Sequence, residues 1–90
     1  MLDRTVTVVN PLGLHARAAA QLVRLASTFL CSVTLRRDDT GVEADAKSIL
    51  NVLYIAASQG IKLHIVTDGE DEEAAMKAVG NLIINGFGEI

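Results

Sequence analysis

The run Gly13-Leu14-His15-Ala16-Arg17 sets an imidazole and a guanidinium two residues apart, after a turn and before an alanine-rich stretch. A helix starting here presents unpaired backbone N–H groups and the positive end of its dipole, which together with the fork of Arg17 would receive a phosphoryl group. The same field favours a neutral, nucleophilic imidazole near pH 7. Gly13 permits a tight turn that keeps the ring accessible, because glycine adopts dihedrals closed to other residues. The plainer alternative is a histidine that caps the helix or lies on the surface. No serine, cysteine or second histidine is placed by the sequence as its base, so a hydrolytic triad has no support; a phosphoryl acceptor needs none.

The elements that must position these residues are legible from periodicity. Residues 3–9 alternate, with Val6 and Val8 opposite Thr5 and Thr7, as in a half-buried strand that Asn10-Pro11-Leu12-Gly13 then breaks. From Ala16 to about Thr28 an amphipathic helix gathers Ala19, Leu22, Val23 and Ala26 on one face. Cys31, Val33 and Leu35 alternate into a second strand, and Asp38-Asp39-Thr40-Gly41 is turn chemistry leading to Val42, Ala44 and Ala46 in a third. Residues 48–58, SILNVLYIAAS, are expected as a helix capped by Ser48 and closed at Gly60. Ile61, Leu63 and Ile65 alternate in the last strand, which turns His64 to solvent. A final helix follows, with acidic residues 70–73 at its start, Ala75, Val79, Leu82 and Ile83 as its stripe, and Asn85-Gly86 at its end. Gly80 inside it signals close packing. The order βαββαβα with alternating strands implies an α+β fold: one antiparallel sheet, covered by helices on one face and wet on the other.

Composition narrows the function classes. Ninety residues fit one domain, residues 1–90, with little room for the deep pocket of a self-contained enzyme. No apolar run is long enough to span a bilayer and the first residues lack a signal-peptide layout, which points to a soluble protein of the cytoplasm without membrane insertion. The single Cys31 reads as a small core hydrophobe; it can make no internal disulfide and has no companion at metal-ligand spacing. The acidic residues 70–73 point to different sides of a helix, which disfavours a metal site. A net charge of −3, eight scattered Lys/Arg and only Phe29, Tyr54 and Phe87 as aromatics argue against nucleic acid.

The runs NPLGLHARAAAQL and AKSILNVLYIAASQG, with the length and element order, resemble the histidine-containing phosphocarrier family, HPr, of the bacterial phosphoenolpyruvate-dependent sugar phosphotransferase system. The resemblance covers essentially the whole chain. It implies an open-faced β-sandwich, a four-stranded sheet with three helices, and a phosphocarrier rather than an enzyme, with no cofactor and no metal. By that resemblance phosphate comes from enzyme I, sits on Nδ1 of His15 with Arg17 assisting, and passes to enzyme IIA domains. Ser48 stands where an HPr kinase/phosphorylase acts in one branch of the family; a phosphate there adds about two negative charges beside the docking surface. Its alternative is simply a helix cap, and Lys47 beside it is a solvated neighbour. The resemblance also implies a docking patch drawn from Leu14, Ala18, Ile49, Leu50 and Leu53, of which Leu14, Leu50 and Leu53 are expected to be exposed.

One departure is visible: the family commonly has proline after the arginine, and this chain has Ala18. The helix start should loosen slightly or not at all, since proline is favoured in a helix's first turn but not essential: the N–H it lacks would be unpaired there anyway. Other readings stay open. The stretch GVEADAKSI has features of both the transport form and the nitrogen-related regulatory form. A regulatory binding module working through Ser48 instead of His15 is a second class, and a ferredoxin-like metal domain a third, for which the ligands are missing. A carrier that docks with one surface on two partners in turn is best served by a monomer.

Overall fold

The computed structural model describes residues 1–90. The chain runs β1 (Leu2–Thr7), α1 (Ala16–Ala26), β2 (Ser32–Arg37), β3 (Glu43–Asp45), α2 (Ile49–Ile55), β4 (Lys62–Asp68) and α3 (Glu72–Ile84), ending in a 3-10 turn at Gly86–Gly88. The strands form one antiparallel sheet in the order β1-β4-β2-β3. This is the α+β, open-faced arrangement that the alternating pattern called for.

Register turns that alternation into two faces. Val6 lies opposite Leu63, Leu35 opposite both Ile65 and Ala44, and Val33 opposite Thr67. All seven are buried against the helices. The other face carries Thr5, His64, Arg36 and Glu43 in one cross-strand row. His64 is on that open face, half-buried, with Nε2 at 2.7 Å from Asp38 and Nδ1 at 3.1 Å from the Thr5 hydroxyl.

The helices close the core by the stripes that their sequences carry. Ala18, Ala19, Leu22 and Ala26 of α1, Val52 and Ile55 of α2, and Ala75, Met76, Val79 and Ile83 of α3 face inward. Leu22, Ile55 and Ile83 are wholly buried, which stabilises by about 1.5–3 kcal/mol each. Leu82, expected in the α3 stripe, is only partly buried. Cys31 is a core residue, and burial pushes its thiol upward from the ordinary value. Gly80 lies under the Arg4 guanidinium, at a distance where a Cβ would stand 2.8 Å from Nη1.

The first strand covers Leu2–Thr7 rather than residues 3–9, and two helices also differ from the sequence expectation in extent. The first helix ends at Ala26 rather than about Thr28. The second spans Ile49–Ile55 rather than residues 48–58, and closes on Ala56 with φ 49° instead of on Gly60. The apolar run continues past its end because Ala57 is buried in the following loop, where its carbonyl accepts from Leu14 N at 2.9 Å. Arg37 secures this helix end by donating Nη1 to the carbonyl of Ile55 at 3.1 Å. The acidic start of α3 also ties down the loop before β2. There Asp71 accepts from Leu30 N and Cys31 N, both at 2.8 Å, and those donors draw its carboxyl below the ordinary value.

Candidate phosphoryl-acceptor site

His15 is the N-cap residue of α1, with extended backbone (φ −71°, ψ 175°) and no side-chain cap hydrogen bond. Its carbonyl accepts from Ala19 N at 2.8 Å, whereas the amides of Ala16, Arg17 and Ala18 make no hydrogen bond within the chain. Three donors and the positive end of an eleven-residue helix therefore converge beside the imidazole, an arrangement that binds oxyanions. No acidic residue occupies the first turn of α1 to compete for that role.

The turn that delivers His15 is held from below. Gly13 has φ +62°, and a Cβ there would stand 2.4 Å from the carbonyl oxygen of Ala57 and 2.8 Å from Cα of Ser58. Only glycine meets both demands, the left-handed backbone and the contact with the loop after α2. Gly13 N donates to the carbonyl of Asn10 at 3.1 Å, and Asn10 Nδ2 donates back to the carbonyl of Gly13 at 2.9 Å.

The imidazole is about a quarter exposed, its side chain at 26%. Nε2 contacts the carboxylate of Glu89, and Nδ1 makes no hydrogen bond within the chain. Asn10, fully buried, donates Nδ2 to the other oxygen of Glu89 at 2.9 Å. That bond first, and the contact with His15 second, pull the Glu89 carboxyl below its ordinary value; the charge of Arg17 acts in the same direction. Arg17 is exposed and forms no ion pair, so its guanidinium is free to meet an incoming anion.

Ser48 caps α2 from an extended backbone (φ −116°, ψ 114°), its Oγ accepting from Asn51 N at a long 3.4 Å. Beyond it Leu50 and Tyr54 are exposed at 75% and 78%, and Ile49 and Leu53 are partly so. Leu12, in the turn before His15, is exposed as well. Two expected docking residues are not at the surface. Leu14 is 5% exposed because the Gly13 turn sends its side chain into the core, and Ala18 is wholly buried because it lies one turn before Leu22 on the inward stripe of α1.

Sequence reasoning passes over Leu12, Asn10 and Glu89. The last two come from opposite ends of the chain, and Asn10 reads only as part of a strand-breaking turn. The one available signal is the alternation Gly86-Phe87-Gly88-Glu89, whose glycines flank an aromatic near the chain's end.

Comparison with known proteins gives consistent matches. Residues 2–85 match the family model described as the PTS HPr component phosphorylation site. The phosphocarrier protein HPr of Cupriavidus necator is 48% identical over 99% of this chain and 98% of that protein. Among solved structures, HPr-C-His from Thermoanaerobacter tengcongensis superposes with a TM-score of 0.92 at 38% identity, covering 100% of this chain and 99% of that one. An HPr from Bacillus anthracis gives 0.85 at 32% identity, over 91% and 95% of the two chains.

Proposed function

The chain belongs to the HPr family of phosphocarrier proteins, and on that premise we propose that it takes a phosphoryl group from enzyme I onto Nδ1 of His15 and hands it to enzyme IIA domains. The observation that carries this reading is the cap of α1. His15 holds the N-cap position without using its ring to cap, beside three amides that have no partner. A phosphoryl group on that ring has donors already oriented toward it, with Arg17 free to add a charge-assisted pair.

The transfer needs no base. The lone pair of Nδ1 attacks phosphorus while the donor's bond to that phosphorus breaks and its electron pair stays with the donor. The phosphorylated ring keeps its Nε2 proton and gains a positive charge. Delivery reverses the electron flow: the N–P pair returns to Nδ1 and the acceptor forms the new bond. The partners supply the docking complement and the chemistry of donor and acceptor.

Docking falls to Leu50 and Leu53, joined by Ile49, Tyr54 and Leu12, whose exposure leaves apolar surface available to a partner. No helix of this chain is long and apolar enough to cross a membrane. The reading assigns the protein to the cytoplasm as a single-domain monomer, without nucleic acid as a partner. Ser48, at the start of the same helix as Leu50, is a regulatory site in this reading, where an HPr kinase/phosphorylase would set a doubly charged group beside the docking residues.

The test is incubation with phosphoenolpyruvate and enzyme I of the transport or the nitrogen-related branch. Acid-labile phosphate should appear on the wild-type chain and vanish in His15→Ala. Absence of label with both enzymes would end the carrier reading. Regulatory output that survives His15→Ala and is lost in Ser48→Ala would favour a module acting through Ser48.

A further inference from the structure

Residues 85–90 fold back over the acceptor site by a route that costs conformational strain. Gly86, Phe87 and Gly88 all have positive φ, at 63°, 57° and 76°. For the two glycines this is easy; for a bulky aromatic it is unfavourable, by about 1–2 kcal/mol. Phe87 is nevertheless held there, its ring buried at 4% exposure in the core. Ile90 then lies back on Gly86, so closely that a Cβ on that glycine would stand 2.7 Å from Cγ1 of Ile90.

The outcome of this left-handed turn is the position of one carboxylate. Glu89 reaches His15 Nε2 with one oxygen and Asn10 Nδ2 with the other. Asn10 in turn is fully buried and spends its amide protons on Glu89 and the carbonyl of Gly13, while its Oδ1 has no donor within the chain. A buried acceptor without a partner, on a residue that bonds Glu89 two positions after a strained aromatic, is characteristic of a segment shaped for a site rather than for stability.

We infer that Glu89, oriented by Asn10 and by the Gly86–Gly88 turn, is a positioning residue that holds the His15 imidazole as its Nε2–H tautomer and leaves Nδ1 as the nucleophile. The inference rests on the carrier reading above and names the residues that prepare the ring for it. A carboxylate can only accept, so the ring nitrogen facing it must carry the proton, and the remaining lone pair lies on Nδ1. Once Nδ1 is phosphorylated, the positive charge on the ring is paired with Glu89, and no proton leaves at either step. Two hydrogen bonds tie Asn10 to Gly13, so one asparagine links the angle of the tail carboxylate to the turn that carries His15.

The experiment uses the full chain with Glu89→Ala, Glu89→Gln and Asn10→Ala, and two readouts. The first is the His15 ring in proton–nitrogen correlation spectra at mildly alkaline pH. The wild type should show an Nε2-bound proton shielded from exchange, which Glu89→Ala loses, Asn10→Ala weakens and Glu89→Gln partly keeps, because the amide oxygen still accepts. The second is phosphoryl acceptance from enzyme I, split into KM and kcat. Glu89→Ala should lower kcat by about 10- to 100-fold, the range seen when a carboxylate orienting a metal-bound histidine is removed, with KM little changed because docking lies elsewhere.

An exchange-protected Nε2 proton surviving Glu89→Ala, or its loss with kcat unaltered, overturns the inference while the carrier reading stands. A wild-type chain that accepts no phosphate removes both together. A parallel fall of kcat and melting temperature that Glu89→Gln does not relieve would mark a structural role only, and also overturns it.

Discussion

The chain begins two helices from capping residues with extended backbones, His15 at α1 and Ser48 at α2, and uses them in opposite ways. Ser48 turns its hydroxyl inward onto Asn51 N, whereas the His15 ring turns away from the helix to Glu89 and leaves the amides of Ala16, Arg17 and Ala18 unpaired. The first cap serves helix stability. The second withholds that service, and the helix start it leaves open is held instead by tertiary contacts: Gly13 against Ala57, Leu14 in the core, and Ala18 buried above Leu22. A helix start whose cap residue turns away therefore depends on its surroundings, and a self-capped one on its own side chain.

Substituting each cap in turn separates the two roles most clearly. His15→Ala should abolish acid-labile phosphate and change the urea midpoint only through its lost contact with Glu89, since its ring caps nothing. Ser48→Ala should keep the label and cost about 0.5–1 kcal/mol, at the lower end for a cap because the 3.4 Å bond is long. Equal destabilisation by both would erase the distinction between the two caps.

Gly13→Ala tests the support beneath the His15 cap. Left-handed backbone at a residue with a Cβ costs about 1–2 kcal/mol and the clash with the Ala57 carbonyl about 1–3 more, so urea unfolding should show a loss of roughly 2 kcal/mol or greater. Phosphoryl acceptance should fall with it. A near-neutral result would mean that the loop after α2 gives way and does not brace His15.

Acid provides a graded test. The Glu89 and Asp71 carboxyls titrate below their ordinary values of 4.5 and 3.8 when folded, Glu89 chiefly through Asn10 and Asp71 chiefly through Leu30 N. Their stabilisation is therefore complete above those ordinary values and is lost as pH falls through the lower folded ones. Circular-dichroism melts between pH 6 and 3 should show melting temperature dropping at the acid end, with a shallower slope in Glu89→Gln and in Asp71→Asn. An unchanged slope in both variants counts against these contacts.

The smallest effect is expected at Ala18. Its amide has no acceptor within the chain, so Ala18→Pro removes no hydrogen bond and should shift stability by less than about 1 kcal/mol. Melting of the two chains side by side checks it.

Much of the fold is legible in the linear chain. Period-two alternation in the strands and stripes such as Ala19, Leu22 and Ala26 report which face is buried, because burial acts on each side chain through its local geometry. The α2 boundary is not legible: Ala57 is apolar because its side chain is buried in the loop after the helix, where its carbonyl meets a turn 44 positions away in sequence, and periodicity cannot separate that from helix. Likewise Leu14 looks free to dock until the Gly13 turn fixes its direction.

For the site, the order of residues along the chain already specifies the setting of His15: an imidazole at a helix start, an arginine two residues on, a glycine turn before it. Those are local facts, and the dipole and free amides of a helix N-terminus follow from local backbone geometry alone. That the His15 ring meets Glu89, that Asn10 donates to that carboxylate, and that Leu14 and Ala18 belong to the core follow from long-range packing alone. Glu89 and Asn10 are 79 positions apart, and no period in a sequence encodes a contact that arises when a left-handed turn brings one end of the chain back across the other.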